Sequence, residues 1–231
     1  MYKSVVLKLS GEALSNHKDP LSFDVVEATA LQIRDAAALG ARMGVVLGGG
    51  NIWRGRSAGE MDRSRADHMG MLSTVINAIA LQDTLLRLGV ACTVLSAVEM
   101  PCFCETYTAR LAQELMQKGH VLLFACGTGH PYFSTDTAAA LRAAELGAEV
   151  LLLAKNVDGI YSADPRQDPA AVRYEKLSYD EVVARQLQAT DLTAITLCRE
   201  QGIPILAFGL KEKNSILRAV CGEKLGTLIT A

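Results

Sequence analysis

Residues 44–55 read GVVLGGGNIWRG: a small, apolar run that ends in Gly48, Gly49 and Gly50, followed by Asn51, Arg54 and, just beyond, Arg56. Glycine lets backbone N–H groups approach a ligand with no Cβ in the way. Asn51 and the two arginines add side-chain donors, so the stretch reads as a cradle for an anion such as phosphate. A tight strand-to-helix turn needs one glycine, and here there are three. The stretch is neither of the familiar phosphate loops. No Lys-Ser or Lys-Thr follows the glycines, and GxGxxG is absent.

Other segments carry matching chemistry. KLSGE (8–12) sets Lys8 within an apolar strand, where a lysine is costly without an anionic partner. Lys8 reads as a fixed cation for phosphate oxygens or as a snorkelling edge lysine. Ser10 and Gly11 add a hydroxyl and a backbone N–H. CGTGHPYFSTDTAAAL (126–141) brackets Thr128 with Gly127 and Gly129, then leads through Ser134, Thr135 and Asp136 into a helix whose N-terminus suits phosphate. Asp136 reads as a helix cap or, among so many anion donors, as a sign of magnesium or of a lysine partner. AKNVDGIYSADP (154–165) places Lys155, Asp158, Tyr161 and Asp164 in a loop; Tyr161 could stack on a base, while Asp-Gly and Asp-Pro are also plain turn formers. Asp67 and Asp191 each stand at a helix start and read locally as caps. His17, His68, His120 and His130 have no metal-ligand spacing. GxSxG is absent, which removes support for a serine triad. Phosphoryl transfer by electrostatic positioning fits these residues best.

The elements that must hold them alternate. Strands are expected at Val5 to Leu9, Met43 to Leu47, Ala91 to Leu95, Val121 to Ala125, Glu149 to Leu153 and Ile205 to Phe208. Their apolar residues barely alternate, which points to strands buried on both faces of a largely parallel sheet. Helices are expected through Val26–Ala37, then on a face of Met69, Leu72, Ile76 and Ile79 ending at Gly89, and then from Thr137 to Gly147. Further helices open at Ser178 with a Ser178/Glu181 capping box, run from Asp191 to Gln201, and start at a cap on Asn214. The fold class is therefore α/β, a single three-layer αβα domain with ligands at the carboxyl ends of its strands.

Composition sets outer bounds. The 231 residues are half apolar, with a formal net charge of −2, so no basic excess favours general nucleic-acid binding. Six cysteines without a CxxC pair read as free thiols. The chain opens directly in strand-like KSVVLKLSG, and no apolar run reaches the ~18 residues that span a bilayer, so a cytoplasmic protein with no membrane partner is expected.

KLSGEAL (8–14), GVVLGGGNIWRG (44–55), DHMGMLSTVINAIALQD (67–83), GTGHPYFSTD (127–136), VDGIYSADP (157–165) and GTLIT (226–230) occur in the order seen in bacterial uridylate (UMP) kinases of the amino-acid-kinase fold family, and the chain resembles them over essentially its whole length. The resemblance implies ATP + UMP → ADP + UDP in pyrimidine nucleotide biosynthesis, with Mg²⁺. It implies an acceptor-binding lobe over about 1–150 and an ATP-binding lobe over about 151–231. It assigns Lys8, Ser10, Gly11, Gly50, Arg54, Lys155, Tyr161 and Asp164 to ATP. It assigns Gly49, Asp67 and the loop Thr128, Gly129, His130, Pro131, Tyr132, Phe133, Ser134 and Thr135 to UMP. Lys8, Asp136 and Asp191 fall in the catalytic group. A homo-oligomer, hexameric by resemblance, with GTP as activator and UTP as inhibitor, is also implied. His130 departs from the asparagine usual in the family, which bears on uracil selectivity. Another small-acceptor kinase of the same fold, or a non-catalytic nucleotide-binding or oxyanion-storage protein, are the alternatives.

Overall fold

The computed structural model describes residues 1–54, 59–165, 167–168, 170–187 and 190–231; Arg56 lies outside them. Strands β1 (Ser4–Leu9), β2 (Arg42–Leu47), β3 (Cys92–Ser96), β4 (Glu105–Thr106), β5 (Val121–Ala125) and β6 (Val150–Lys155) are followed by a short pair, β7 (Ile160–Tyr161) and β8 (Arg173–Tyr174), and then by β9 (Lys176–Ser178), β10 (Ile205–Gly209) and β11 (Thr227–Thr230). Nine of them form one sheet in the order β4-β3-β5-β2-β1-β6-β10-β11-β9. Only the β10–β11 pairing is antiparallel within it.

Helices α1 (Phe23–Ala38), α2 (Arg63–Arg87), α3 (Ala109–Gln117), α4 (Thr135–Glu145), α5 (Tyr179–Ala184), α6 (Leu192–Gln201) and α7 (Ser215–Val220) cover the two faces. The period of two along a strand decides which helix each strand residue meets. Val5, Leu7 and Leu9 of β1 pack with α1, α2 and α7, whereas Val6 packs on the opposite face with α4 and α6. Lys8 follows Val6 by two, so its side chain is sent toward α4.

All six expected strands are present. Short β4, β7, β8, β9 and β11 were not anticipated, and neither was α3. The cue for α3 was Thr108, whose hydroxyl accepts from Leu111 N–H, ahead of Ala112 and Met116, which are buried one turn apart. Lys155 ends β6 and does not lie in the loop beyond it. Asn214 precedes α7 with a left-handed φ of 55°, and its side chain makes no capping hydrogen bond to the helix N–H groups.

The helix expected to end at Gly89 is present as α2, which starts at Arg63, ahead of Asp67. Met69, Leu72, Ile76 and Ile79 are 38, 56, 49 and 40 % exposed, so the apolar stripe faces outward. The inner side is built of Ala66, Ser73, Thr74, Val75, Asn77, Ala78, Leu81 and Leu85. Among the described residues α2 is also the one helix long and apolar enough, by length and composition, to cross a bilayer, although charged and polar residues interrupt its apolar runs. Its polar inner groups are bonded into this fold, Asn77 to Gly48 and Thr74 to Cys126.

The far end of α4 is anchored by Arg142, which is buried. Its guanidinium lies 3.6 Å from the centre of the Tyr107 ring and 2.5 Å from Glu145 Oε2, which also accepts from the Tyr107 hydroxyl. Burial, more than the Glu145 contact, pushes the Tyr107 hydroxyl pKa well up. Arg142→Ala removes a buried charge from under Glu145 and is expected to cost about 3 kcal/mol in a urea melt. A loss below about 0.5 kcal/mol contradicts that anchoring.

Candidate functional site

β1 lies between β2 and β6, and the sheet grows outward from it on both sides, so the crevice at its carboxyl end is a topological switch point. A cavity of about 1010 Å³ opens there, lined by Lys8, Gly50, Trp53, Arg54, Arg63, Asp67, Tyr132, Phe133, Ser134, Thr135, Asp136, Lys155, Thr190 and Asp191, among others. A cavity of about 130 Å³ adjoins it at Gly49, Gly127, Thr128 and His130, and shares Trp53, Asp67, Phe133 and Thr135 with it. A further cavity of about 480 Å³, lined by Lys155, Tyr161, Asp164, Gln167 and Arg185, shares Lys155, Gln186 and Leu187 with the central one and no residue with the smaller pocket. Two side pockets therefore flank a charged centre.

At that centre Lys8 Nζ lies 2.7 Å from Asp136 Oδ1. Asp136 stands in the first turn of α4 but does not cap it. Ser134 does, its hydroxyl accepting from the Asp136 and Thr137 N–H groups. The Thr190 hydroxyl donates to Asp136 Oδ2 at 2.7 Å, so both carboxylate oxygens are held. Burial pushes the Asp136 pKa up, but Lys8, Lys155 and the Lys8 and Thr190 hydrogen bonds outweigh it, leaving the carboxyl below its ordinary 3.8. Burial lowers the Lys155 pKa, only partly opposed by Asp136, with Lys8 adding repulsion. Lys8 is thus paired with Asp136, and Lys155 is buried nearby with Asp136 and Asp191 only partly offsetting its charge, an arrangement suited to phosphate oxygens.

Asp191 does not touch Lys8. Its carboxylate accepts from Ala194 N–H at 2.7 Å, capping α6, and also from the Ser134 hydroxyl and from the N–H and hydroxyl of Thr137. It ties the start of α6 to the start of α4. Asp67 is no cap either: Asp62 caps α2, and Asp67 lies inside the helix. Asp67 Oδ2 accepts from Arg63 Nε at 2.8 Å and from Tyr132 N–H at 2.9 Å. That second bond clasps the 127–134 loop at Tyr132, a non-glycine residue with φ of 72°, a region costing roughly 1–3 kcal/mol.

The glycines are explained by close approach. A Cβ on Gly48 would lie 2.9 Å from Gly11 N, and one on Gly49 would lie 2.6 Å from Gly70 O of α2. A Cβ on Gly50 would meet only the Arg54 side chain, at 3.8 Å. Arg54 forms an ion pair with Glu12, which also accepts from Asn156 Nδ2 at 2.8 Å. Beside the larger side pocket, the Tyr161 hydroxyl donates to Asp158 Oδ1 at 2.6 Å. That bond, more than Arg173 at 2.7 Å, lowers the Asp158 pKa.

Most residues singled out from the sequence are brought together here. Ser10, Gly11, Gly129 and Pro131 line none of the three cavities. At Gly129 a Cβ would lie 3.0 Å from Ala97 O and φ is 80°, which makes it a turn residue. Trp53, Arg63, Thr190 and Glu12 were not singled out as site residues. Arg63 could have been found by its i, i+4 spacing to Asp67. Thr190 carried no signal beyond preceding Asp191.

A family model described as the amino acid kinase family matches residues 3–208. The chain is 37 % identical to a solved UMP kinase from Ureaplasma parvum, covering 100 % of each chain with a TM-score of 0.94. It is 34 % identical to the UMP kinase from Bacillus anthracis, covering 99 % of this chain and 96 % of that one with a TM-score of 0.96. It is 31 % identical to the uridylate kinase from Archaeoglobus fulgidus, covering 98 % and 99 % with a TM-score of 0.76.

Two expectations follow from the charges. The Asp136 pKa is lower folded than unfolded, so its stabilising contribution is full above the ordinary 3.8 and is lost as the pH falls through the folded value. Asp136→Asn should therefore cost stability at pH 7 and progressively less below pH ~4; an equal loss at both contradicts the pairing. The Lys155 pKa is also lower folded, so its buried charge destabilises most at neutral pH and is relieved as the pH rises toward 10.5. Lys155→Met should hold or raise the melting temperature of the nucleotide-free protein while weakening ATP turnover. A fall in both contradicts a site charged for its ligand.

Proposed function

The chain belongs to the amino acid kinase family, and from that premise we propose that it transfers the γ-phosphoryl group of MgATP to UMP, giving ADP and UDP in pyrimidine nucleotide biosynthesis. The observation that carries this reading is the pair of side pockets that adjoin a central cavity lined by Lys8, Lys155 and Asp136, in a chain similar to UMP kinases over its full length. ATP takes the side of Lys155, Tyr161 and Asp164, in the lobe over about 151–231. UMP takes the side of Gly49, Asp67 and Thr128 to Thr135, in the lobe over about 1–150.

The UMP phosphate attacks the γ-phosphorus in line. A phosphate monoester is already ionised near neutral pH, so no strong general base is required. Asp136, kept ionised by two lysines, holds no proton to give and is too weak a base to take one. It orients Lys8. Lys8, Lys155 and Arg54 neutralise charge as the phosphoryl group moves, and the glycine-loop amides add donors. Arg54 must exchange Glu12 for phosphate when nucleotide binds. The carboxylate oxygens of Asp136 and Asp191 are already engaged, so Mg²⁺ would enter this site with ATP as the MgATP substrate and would there neutralise phosphate charge.

The outward apolar stripe of α2 supports a homo-oligomer, hexameric by resemblance, in which that face is covered. GTP activation, UTP inhibition and a cytoplasmic location belong to the same reading.

ADP release measured over a panel of acceptors, with and without GTP, tests it. UMP should be the preferred acceptor; turnover with another acceptor and none with UMP overturns the reading. Lys8→Ala should lower kcat by about 10²–10³, far more than it raises the KM for UMP. A near-normal kcat removes Lys8 from its assigned role. Leu72→Glu should shift the sedimentation coefficient toward a smaller species, and an unchanged oligomer places the contact elsewhere.

A further inference from the structure

Asn77 is 0 % exposed, in the middle of α2 and remote in sequence from every strand end. A buried amide is costly unless its groups are bonded. Each of its polar atoms is used by the glycine segment. Nδ2 donates to Gly48 O and to Asn51 Oδ1, both at 2.8 Å, and Oδ1 accepts from Asn51 Nδ2 at 3.0 Å. Asn51 Nδ2 also donates to Pro20 O at 2.6 Å. The two amides therefore form a reciprocal pair, tied down at both ends.

This pair fixes a direction as well as a position. In a trans peptide the C=O and the following N–H point opposite ways. Drawing Gly48 C=O onto Asn77 thus turns Gly49 N–H away from it. The next peptide is set likewise: Gly49 O accepts from Ile52 N–H at 3.1 Å and Trp53 N–H at 3.0 Å, which turns Gly50 N–H away from that turn. Neither amide donates to another group among the described residues. Gly49 lines the smaller side pocket and Gly50 the central cavity. A Cβ on Gly11 would lie 2.7 Å from Gly50 N and 2.1 Å from Asn51 Oδ1, so glycine there leaves room for both the amide and the clamp.

We propose that Asn77 is a positioning residue that, through its paired amide with Asn51, aims the Gly49 and Gly50 N–H groups at the phosphates. The proposal deepens the kinase reading and rests on it. It separates α2's two tasks: the exposed side presents apolar residues, and the buried side supports the donor wall from beneath.

Asn77→Asp keeps the size and the acceptor but loses the donors to Gly48 O and Asn51 Oδ1. Asn51→Ala breaks the same pair from a partly exposed position that the core tolerates. Thr84→Val, another buried polar residue of α2, bonded only to Ala80 O and Arg87, is the control for burial alone. The full-length protein is assayed for UMP-dependent ADP release and for amide hydrogen exchange of the 44–53 segment with and without ADP. Both clamp variants should lose at least tenfold in kcat, with smaller changes in the two KM values. In both, the slowing of exchange by ADP in that segment should be lost, while Thr84→Val behaves as wild type. Clamp variants within twofold of the wild-type kcat that keep the ADP effect overturn the proposal, as does an equal defect in Thr84→Val. Wild-type protein without UMP-dependent turnover defeats the kinase reading instead, and the exchange comparison still decides the role of Asn77.

Discussion

The ion pair between Lys8 and Asp136 is the constraint on which the rest of the site depends. Lys8 stands in a strand hydrogen-bonded on both sides, with its side chain directed to the face that α4 covers. An ammonium there needs an anion, and Asp136 supplies it at 2.7 Å. α4 must then start at that spot. Asp191 fastens that start to α6, Thr190 holds the second carboxylate oxygen, and Arg142 fixes the other end of the helix. The arrangement leaves Lys155 buried beside Lys8, with Asp136 and Asp191 only partly offsetting the cost of its charge.

The glycine segment obeys a second constraint, space. Gly48 and Gly49 have no room for a Cβ because the first strand-end turn and α2 pass so close. The same closeness lets Asn77 reach Gly48. Packing and ligand binding are thus one design at this point. The glycines that bring α2 near also bare the amides, and α2 fixes which way they face.

The sequence revealed most where burial leaves little choice. The six long strands are apolar on both faces, so their runs were plain, and the chemistry at their ends followed from the rule that ligands sit at carboxyl edges. Periodicity misled at α2, because a stripe of Met69, Leu72, Ile76 and Ile79 looks the same whether it meets its own core or faces outward. The inner face mixes small and apolar residues with Ser73, Thr74 and Asn77, of which Thr74 bonds Cys126 and Asn77 bonds Gly48. Asp67, Asp136 and Asp191 were locally indistinguishable from helix caps. Asp191 is one and also more than one, Asp67 is none, and Asp136 hands that duty to Ser134. Such distinctions depend on pairs 50 or more residues apart, such as Thr190 with Asp136 and Tyr132 with Asp67, which no local pattern encodes.

If Asp136 works by holding Lys8, the two residues act as a unit. A double-mutant cycle on kcat with Lys8→Met and Asp136→Asn measures this directly. The account predicts strong non-additivity, with the double variant about as slow as Lys8→Met alone. Losses that simply multiply would contradict it, because Asp136 would then contribute to transfer independently of the lysine it holds.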